Sequence, residues 1–163
     1  MLVNEDTYTV TGAGTIAGAE DNFRFVYQPL TQDGEIWVNI ADLPTGGAGA
    51  KAGIMIRENL SSSSPYIYIG TLPDGNLKVQ IRSSTGGETS IKSVAGGNAA
   101  PWVRINRKGN LFVTGYGSQP GSWSIASLEN ITMAPNIYIG LAVASGDPAA
   151  LSQTTFNGLV VNP

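Results

Sequence analysis

Hydrophobic and polar residues alternate along most of the chain, in short runs separated by turn-forming residues. Neighbouring side chains of a β-strand point to opposite faces, so this alternation indicates strands with one apolar and one polar face. Turn signals rich in Gly, Pro, Asn and Asp bound each run. The predicted strands are residues 7–13, 22–30, 35–43, 51–58, 65–72, 77–84, 88–94, 102–107, 111–116, 122–127, 136–145 and 153–161.

No segment shows the 3.6-residue period of an amphipathic helix. Evenly spaced strands without helices indicate an antiparallel β-sandwich rather than βαβ units. We therefore predict an all-β, two-sheet antiparallel sandwich of about twelve strands. No internal repeat or long linker divides the sequence, so residues 1–163 are expected to form a single domain.

The stretch AKAGIMIREN (residues 50–59) looks apolar enough for a core, yet it runs into a charged pair. Alternation resolves this, because Ala52, Ile54 and Ile56 share one face while Met55 and Arg57 share the other. The same two-sidedness in other strands predicts a second face rich in aromatic, amide and guanidinium groups. Its members are Gln28, Trp37, Asn39, Arg57, Tyr66, Tyr68, Gln80 and Arg82.

These residue types suit a sugar-binding surface. Aromatic rings stack on the apolar faces of pyranose rings, while amides and guanidinium groups bond hydroxyls. The same residues also stabilise antiparallel sheets as cross-strand pairs, so a purely structural role stays open. Trp37 is the leading single ligand candidate. Trp102 and Trp123 are expected to pack at an end of the core.

Composition excludes several kinds of chemistry. The chain has no Cys and no His, which rules out a Cys/His zinc site and any His-dependent nucleophile. Charged residues make up 13%, about half of the usual ~25%. Net charge is −3, and no basic cluster is longer than Arg107-Lys108, so nucleic acid is not an expected partner. No apolar run approaches the ~20 residues of a membrane span.

Acidic residues give little support for catalysis or for a required cofactor. Asp33 and Glu35 form the only i, i+2 acidic pair, and it spans a turn, where Asp usually bonds the local backbone. We therefore expect no enzyme activity. A structural calcium ion is a further expectation at Glu20 and Asp21, because calcium binds oxygen ligands from loops.

Four blocks occur in order along the chain: FRFVYQPLTQDGEI, AKAGIMIRENL, WVRINRKGNLFVTGYGSQPGSWS and IYIGLAVAS. They resemble a bacterial family of concanavalin A-like domains of unknown function, often labelled "regulation of enolase". The resemblance spans residues 7–161. It implies a two-sheet jelly roll that serves as an accessory module in large secreted or surface proteins.

These observations favour a non-catalytic carbohydrate-binding module that binds a polysaccharide or glycan weakly. Its expected location is extracellular or at the cell surface. The stretch LVNEDTYTV near the start has no signal-peptide pattern, so we expect the sequence to be one domain of a larger secreted chain. An intracellular origin stays open. The alternative is a structural or self-assembling subunit, which the charge-free strand NIYIGLAVAS would favour if it lay exposed at a sheet edge.

Overall fold

The computed structural model describes residues 2–3, 7–95 and 101–163. Within these ranges the chain forms strands and turns. The strands are β1 (Leu2–Val3), β2 (Tyr8–Gly14), β3 (Arg24–Thr31), β4 (Gly34–Asp42), β5 (Lys51–Arg57), β6 (Tyr66–Thr71), β7 (Leu77–Arg82), β8 (Ser90–Ser93), β9 (Trp102–Lys108), β10 (Leu111–Gly117), β11 (Ser124–Asn130), β12 (Asn136–Ala144) and β13 (Asp147–Asn162). Each predicted strand is present, and none of the described residues belongs to a helix that could cross a lipid bilayer.

The strands form two antiparallel sheets, as predicted. A seven-stranded sheet has the order β1-β13-β4-β9-β10-β11, with β2 also paired to β13. A six-stranded sheet has the order β3-β12-β5-β6-β7-β8. Strands distant in sequence lie side by side in both sheets, which is typical of a jelly roll.

The core lies between the two sheets and follows the predicted alternation. Ile36 and Val38 of β4 and Ile54 of β5 are 0% exposed. These side chains belong to one continuous apolar cluster that both sheets line. The inward face of each central strand is therefore set by its sequence pattern.

Strand β3 departs from the predicted assignment of faces. Gln28 lies opposite Ile139 of β12 in the register, and Ile139 is part of the core. Directly paired residues point to the same side of a sheet, so Gln28 faces inward at this sheet edge. Phe25 and Tyr27 consequently lie on the outer face of the six-stranded sheet.

The outer face of the six-stranded sheet is partly covered by the chain itself. Residues 15–23, which join β2 to β3 and which we call the strap, lie over β5, β6 and β7. Ile16 packs in a second apolar cluster with Met55, Tyr66 and Tyr68. Its carbonyl oxygen accepts hydrogen bonds from Lys51 Nζ (3.0 Å) and Gln80 Nε2 (2.7 Å).

A buried ionic cluster fastens the strap. Asp21 accepts two hydrogen bonds from Arg57, at 3.0 and 2.9 Å, and one from Arg82 at 2.8 Å. All three side chains are almost inaccessible to solvent. Arg82 also donates to the carbonyl oxygens of Gly18 and Ser64. The charged end of the apolar run therefore meets a carboxylate delivered by a distant loop.

Strand β12, which contains NIYIGLAVA, lies between β3 and β5 in the six-stranded sheet. Both of its edges are hydrogen-bonded to neighbouring strands. Of the two positions left open by the sequence, the structure therefore shows the interior of a sheet and not an exposed edge. The observation that would have favoured a self-assembling subunit is absent from this strand.

We expect Asp21→Asn to lower the free energy of unfolding by about 3–5 kcal/mol, because it leaves two buried guanidinium groups without a counter-charge. Guanidinium chloride denaturation at neutral pH measures this change. Glu20→Gln, at the exposed neighbouring position, is the control and should change stability little. Equal effects of the two substitutions would contradict the assigned role of Asp21.

Candidate functional site

The structure divides the predicted ligand residues between the two sheets. Trp37 and Asn39 lie on β4 of the seven-stranded sheet, whereas the other six lie on the six-stranded sheet. The expectation of one shared surface is therefore wrong. Which strands share a sheet depends on long-range pairing, and local alternation does not report it.

Five of the predicted residues do share one face of the six-stranded sheet. Arg57, Tyr66 and Arg82 are aligned across β5, β6 and β7, and Tyr68 is aligned with Gln80. The strap covers this face, so these side chains are between 0 and 2% exposed. A glycan cannot reach them in this conformation.

Tyr66 and Tyr68, which lie beneath the strap, have pKa values that are shifted by their burial. Burial raises the pKa of Tyr66 and of Tyr68 above the ordinary value. Tyr66 Oη lies 2.9 Å from Thr89 Oγ1, and the guanidinium of Arg82 lies 5.0 Å from its ring centroid. The predicted aromatic and guanidinium partners therefore bind one another rather than an external ligand.

Asp21, one of the two predicted calcium ligands, belongs to the buried ionic cluster with Arg57 and Arg82. Both carboxylate oxygens of Asp21 are occupied by guanidinium groups, which oppose a second cation there. Among the described residues, no three acidic side chains converge in an arrangement that could hold a metal ion. The assignment of Asp21 as a calcium ligand is corrected to a partner of Arg57 and Arg82, while Glu20 is exposed.

The outer face of the seven-stranded sheet carries a different aromatic surface, which we call the tryptophan face. It consists of Trp37, Trp102 and Trp123, all half-buried, and the polar side chains between them. Trp37 is paired with Arg104, and Asn39 with Trp102, across β4 and β9. These registers place the side chains on one side of the sheet.

Trp123 comes from the loop between β10 and β11. Its ring centroid lies 6.2 Å from that of Trp37, with the two planes tilted by 51°. The guanidinium carbon of Arg104 lies 6.0 Å from the Trp123 centroid. Gly115, which is paired with Arg104, lies beside the loop that carries Trp123, because a Cβ at Gly115 would lie 3.2 Å from the Ser124 carbonyl oxygen and 3.7 Å from Trp123 Cβ.

Trp102 lies against the backbone of β13. Gly158 has φ +65°, and a Cβ at that position would approach the Trp102 ring to 2.5 Å. A glycine is required there both for the left-handed backbone and for the contact. Trp102 is paired with Asn39 in the register, and Asn39 Nδ2 donates to Asn157 Oδ1 at 2.8 Å.

Planar polar groups continue the surface beyond the tryptophans. Glu35 accepts hydrogen bonds from Arg104 (3.0 Å to Nε), Asn162 (3.2 Å) and Asn106 (3.4 Å). Burial tends to raise the pKa of Glu35, but hydrogen bonds from Arg104 and Asn162 outweigh it and hold the pKa below its ordinary value. Glu35 is thus a fixed carboxylate rather than a proton donor.

Trp102 and Trp123 were wrongly expected at an end of the core. In WVRINR, Trp102 alternates with the buried Val103 and Ile105, so alternation alone places it on the outer side. Trp123 follows a loop whose path no local pattern determines. Its position became evident only from its contact with Trp37.

A second aromatic surface lies beside the strap. Phe23, Phe25, Tyr27 and Tyr138 form a continuous series of ring contacts with centroid separations of 5.8, 5.2 and 5.2 Å. We call these four residues the ring ladder. Three of them border an open cleft of about 1000 Å³ between β2, β3 and the start of β13.

No protein-family model and no curated protein matches the chain. Membership of the family that the sequence resembles therefore stays a prediction.

Solved structures do match, with low sequence identity. A functionally unknown protein from Saccharomyces cerevisiae has TM-score 0.71 and 18% identity, covering 99% of this chain and 92% of that chain. A xylan beta-1,4-xylosidase from Bacillus halodurans C-125 has TM-score 0.66 and 9% identity, covering 95% of this chain and 33% of that one. A beta-1,3-1,4-glucanase from a mouse hindgut metagenome has TM-score 0.57 and 9% identity, with 98% and 82% covered.

These similarities establish the fold, a jelly-roll β-sandwich shared with glycoside hydrolases. The chain spans only one third of the xylosidase. Residues and activities of these proteins are not transferable at such identities.

The lowered pKa of Glu35 predicts an acid-dependent contribution to stability. A depressed folded-state pKa stabilises the protein above the unfolded pKa of about 4.3, and this contribution is lost as pH falls through the folded value. We therefore expect wild type to be more stable than Glu35→Gln at neutral pH and the difference to narrow on acidification. Denaturant unfolding at neutral pH and at about pH 3 measures it. A pH-independent difference would contradict the assignment, and the exposed Glu88→Gln is the control.

Proposed function

We propose that this protein is a non-catalytic carbohydrate-binding module that holds a neutral polysaccharide on its tryptophan face. The observation that carries the proposal is that Trp37, Trp102 and Trp123 are partly exposed on one side of one sheet. Partly exposed aromatic groups that cluster in this way are typical of a binding surface, whereas single apolar residues scattered over a surface are not.

The surface combines the two interactions that a sugar requires. Indole rings offer apolar faces for the C–H side of a pyranose ring. The amides of Asn106 and Asn162, which are half-buried beside the rings, supply donors and acceptors for hydroxyl groups. The face is shallow, so affinity is expected in the range of roughly micromolar to millimolar.

Charge favours a neutral glycan over an anionic one. Arg104, at the centre of the face, is already paired with Glu35. An anionic glycan, such as a uronate or a sulfated chain, loses hydration free energy when its charges leave water. Only an unpaired cation on the surface would offset this cost. The net charge of −3 adds no general attraction for polyanions.

The comparisons support a carbohydrate-related role at the level of fold. Two of the matched structures are described as acting on xylan and on a beta-1,3-1,4-glucan. The non-catalytic assignment is supported by Glu35, whose low pKa and several hydrogen bonds are the opposite of what a general acid requires. Asp33, close to it in sequence, accepts a hydrogen bond from the Gly109 backbone amide at 2.7 Å, which joins two turns that are distant in the sequence.

We further propose that the module works outside the cell as part of a larger chain, where weak binding keeps an attached domain near its polysaccharide. The tryptophan face requires no metal or other cofactor. Nucleic acid is not an expected partner, because the chain lacks a basic cluster.

We expect Trp37→Ala and Trp123→Ala each to weaken polysaccharide binding about tenfold or more, since buried aromatic anchors typically carry over ~1.4 kcal/mol of a binding free energy. Affinity electrophoresis in gels containing xylan, beta-1,3-1,4-glucan or alginate measures the effect. The two neutral polymers should retard the wild type, and alginate should not.

Trp37→Phe keeps a ring and should retain part of the binding. Ile91→Ala removes an exposed side chain from the other sheet and should leave migration unchanged. Undiminished retardation of both tryptophan variants would refute the tryptophan face as the binding surface. Far-ultraviolet circular dichroism and a cooperative thermal transition check that each variant is folded.

A further inference from the structure

We propose that the cleft bordered by the ring ladder is a second binding site for neutral glycans, so that one chain binds polysaccharide through both of its sheets. This inference rests on the proposed function for the ligand class, but it concerns different residues on the opposite side of the sandwich. It assigns a role to the part of the six-stranded sheet that the strap leaves open.

The ring ladder offers an extended apolar stripe to solvent. Phe25 and Tyr27 are two residues apart on β3, and their rings are nearly parallel, at 24°. Tyr138 of β12 meets Tyr27 edge-on at 81° and 5.2 Å. Tyr27 is 46% exposed although it belongs to a continuous row of aromatic contacts. Phe25 and Tyr27 partly cover each other, so a sugar ring would pack against the exposed part of Tyr27 and the open side of the row.

The apolar character of the cleft extends beyond the rings. Leu60 and Leu151, which also border it, are 49 and 70% exposed. Exposed apolar side chains that line one concavity indicate a binding site, whereas isolated ones do not. The cleft volume of about 1000 Å³ is at the upper end of the range for small-ligand sites, which is sufficient for a short oligosaccharide.

The polar rim is suited to hydroxyl groups. Asn22 and the hydroxyls of Thr11 and Thr15 border the cleft, and its charged lining residues are two acids and two bases: Glu20, Asp21, Arg24 and Arg57. The charges of Glu20 and Arg24 offset each other, and Asp21 is paired with the buried guanidinium groups of Arg57 and Arg82. A neutral polyhydroxy ligand therefore fits the rim better than a polyanion or a strongly charged peptide.

The strap holds the ring ladder in place before a ligand arrives. Phe23 is its last residue, and the guanidinium carbon of Arg57 lies 5.3 Å from the Phe23 centroid. Arg57 is itself fixed by Asp21 and by the carbonyl oxygen of Ser61 at 2.7 Å. A binding surface whose rings are already fixed loses less conformational entropy on binding.

The tryptophan face and the ring ladder lie on the outer faces of different sheets, with the core between them, and the cleft extends from the ring ladder to β2 and β13 at the side of the sandwich. Packed sheets lie ~10 Å apart, and side chains extend beyond both. A short glycan therefore cannot occupy both surfaces at once. A long polysaccharide, or two separate chains, would be bridged by one protein molecule, so the protein should cross-link soluble polymers.

The test uses the full chain and short oligosaccharides of the polymer that binds best among xylan and beta-1,3-1,4-glucan. Isothermal titration calorimetry gives the stoichiometry for wild type, Tyr27→Ala, Trp37→Ala and the double variant. We expect two sites in wild type, one in each single variant and none in the double variant. Turbidity of the soluble polymer should rise with wild type and stay low with either single variant.

Tyr27→Phe keeps the ring and should retain two sites, while Ile91→Ala is the unaffected control. One site in wild type that Trp37→Ala abolishes and Tyr27→Ala preserves would overturn the second site and leave the proposed function standing. One site that only Tyr27→Ala abolishes would overturn the two-sided arrangement and the tryptophan face together. Tyr27-dependent dimerisation in light scattering, without glycan binding at the cleft, would show instead that the cleft binds a second copy of this chain.

Discussion

The ion pairs of Asp21 with Arg57 and Arg82 are the constraint on which the outer surface of the molecule depends. Three charged groups are removed from water there, and such burial is tolerated only when the charges are paired and the remaining donors are bonded. The guanidinium groups satisfy this condition through Asp21 and through carbonyl oxygens of the neighbouring loops. One carboxylate thereby holds the strap, orders the loop that contains Ser61 and fixes the end of the ring ladder at Phe23.

Within the part of the chain that the structure describes, the two outer faces differ because a strap covers only that of the six-stranded sheet. On the six-stranded sheet, aromatic and guanidinium side chains such as Tyr66 and Arg82 form a second buried layer. On the seven-stranded sheet, the same residue types remain at the surface, where Arg104 and Trp37 are half-buried. Residue type alone therefore does not distinguish an internal support from a binding surface. The presence or absence of a covering segment decides between these roles.

Glu35 and Asp21 illustrate the same distinction among carboxylates. Both accept hydrogen bonds from arginine, but Asp21 is inaccessible and ties distant segments together. Glu35 lies near solvent and orients Arg104 beside Trp123. The first pairing stabilises the fold, and the second arranges a surface on which planar groups and indole rings alternate. The proposed carbohydrate-binding role needs both pairings, since a weak shallow site depends on side chains that are already in position.

The sequence by itself determined the strands and their inward faces. Alternating residues such as Ile36, Val38 and Ile54 must point together, because the period of a strand is two and water excludes apolar side chains. The position of Trp102 was also readable from its alternation with Val103. Only the tertiary structure decided which strands are neighbours, where Trp123 lies, and that residues 15–23 cover Tyr68 and Gln80. Pairing and covering involve residues far apart in the chain, and the burial of Arg57 depends on a carboxylate 36 positions away, which no local pattern encodes.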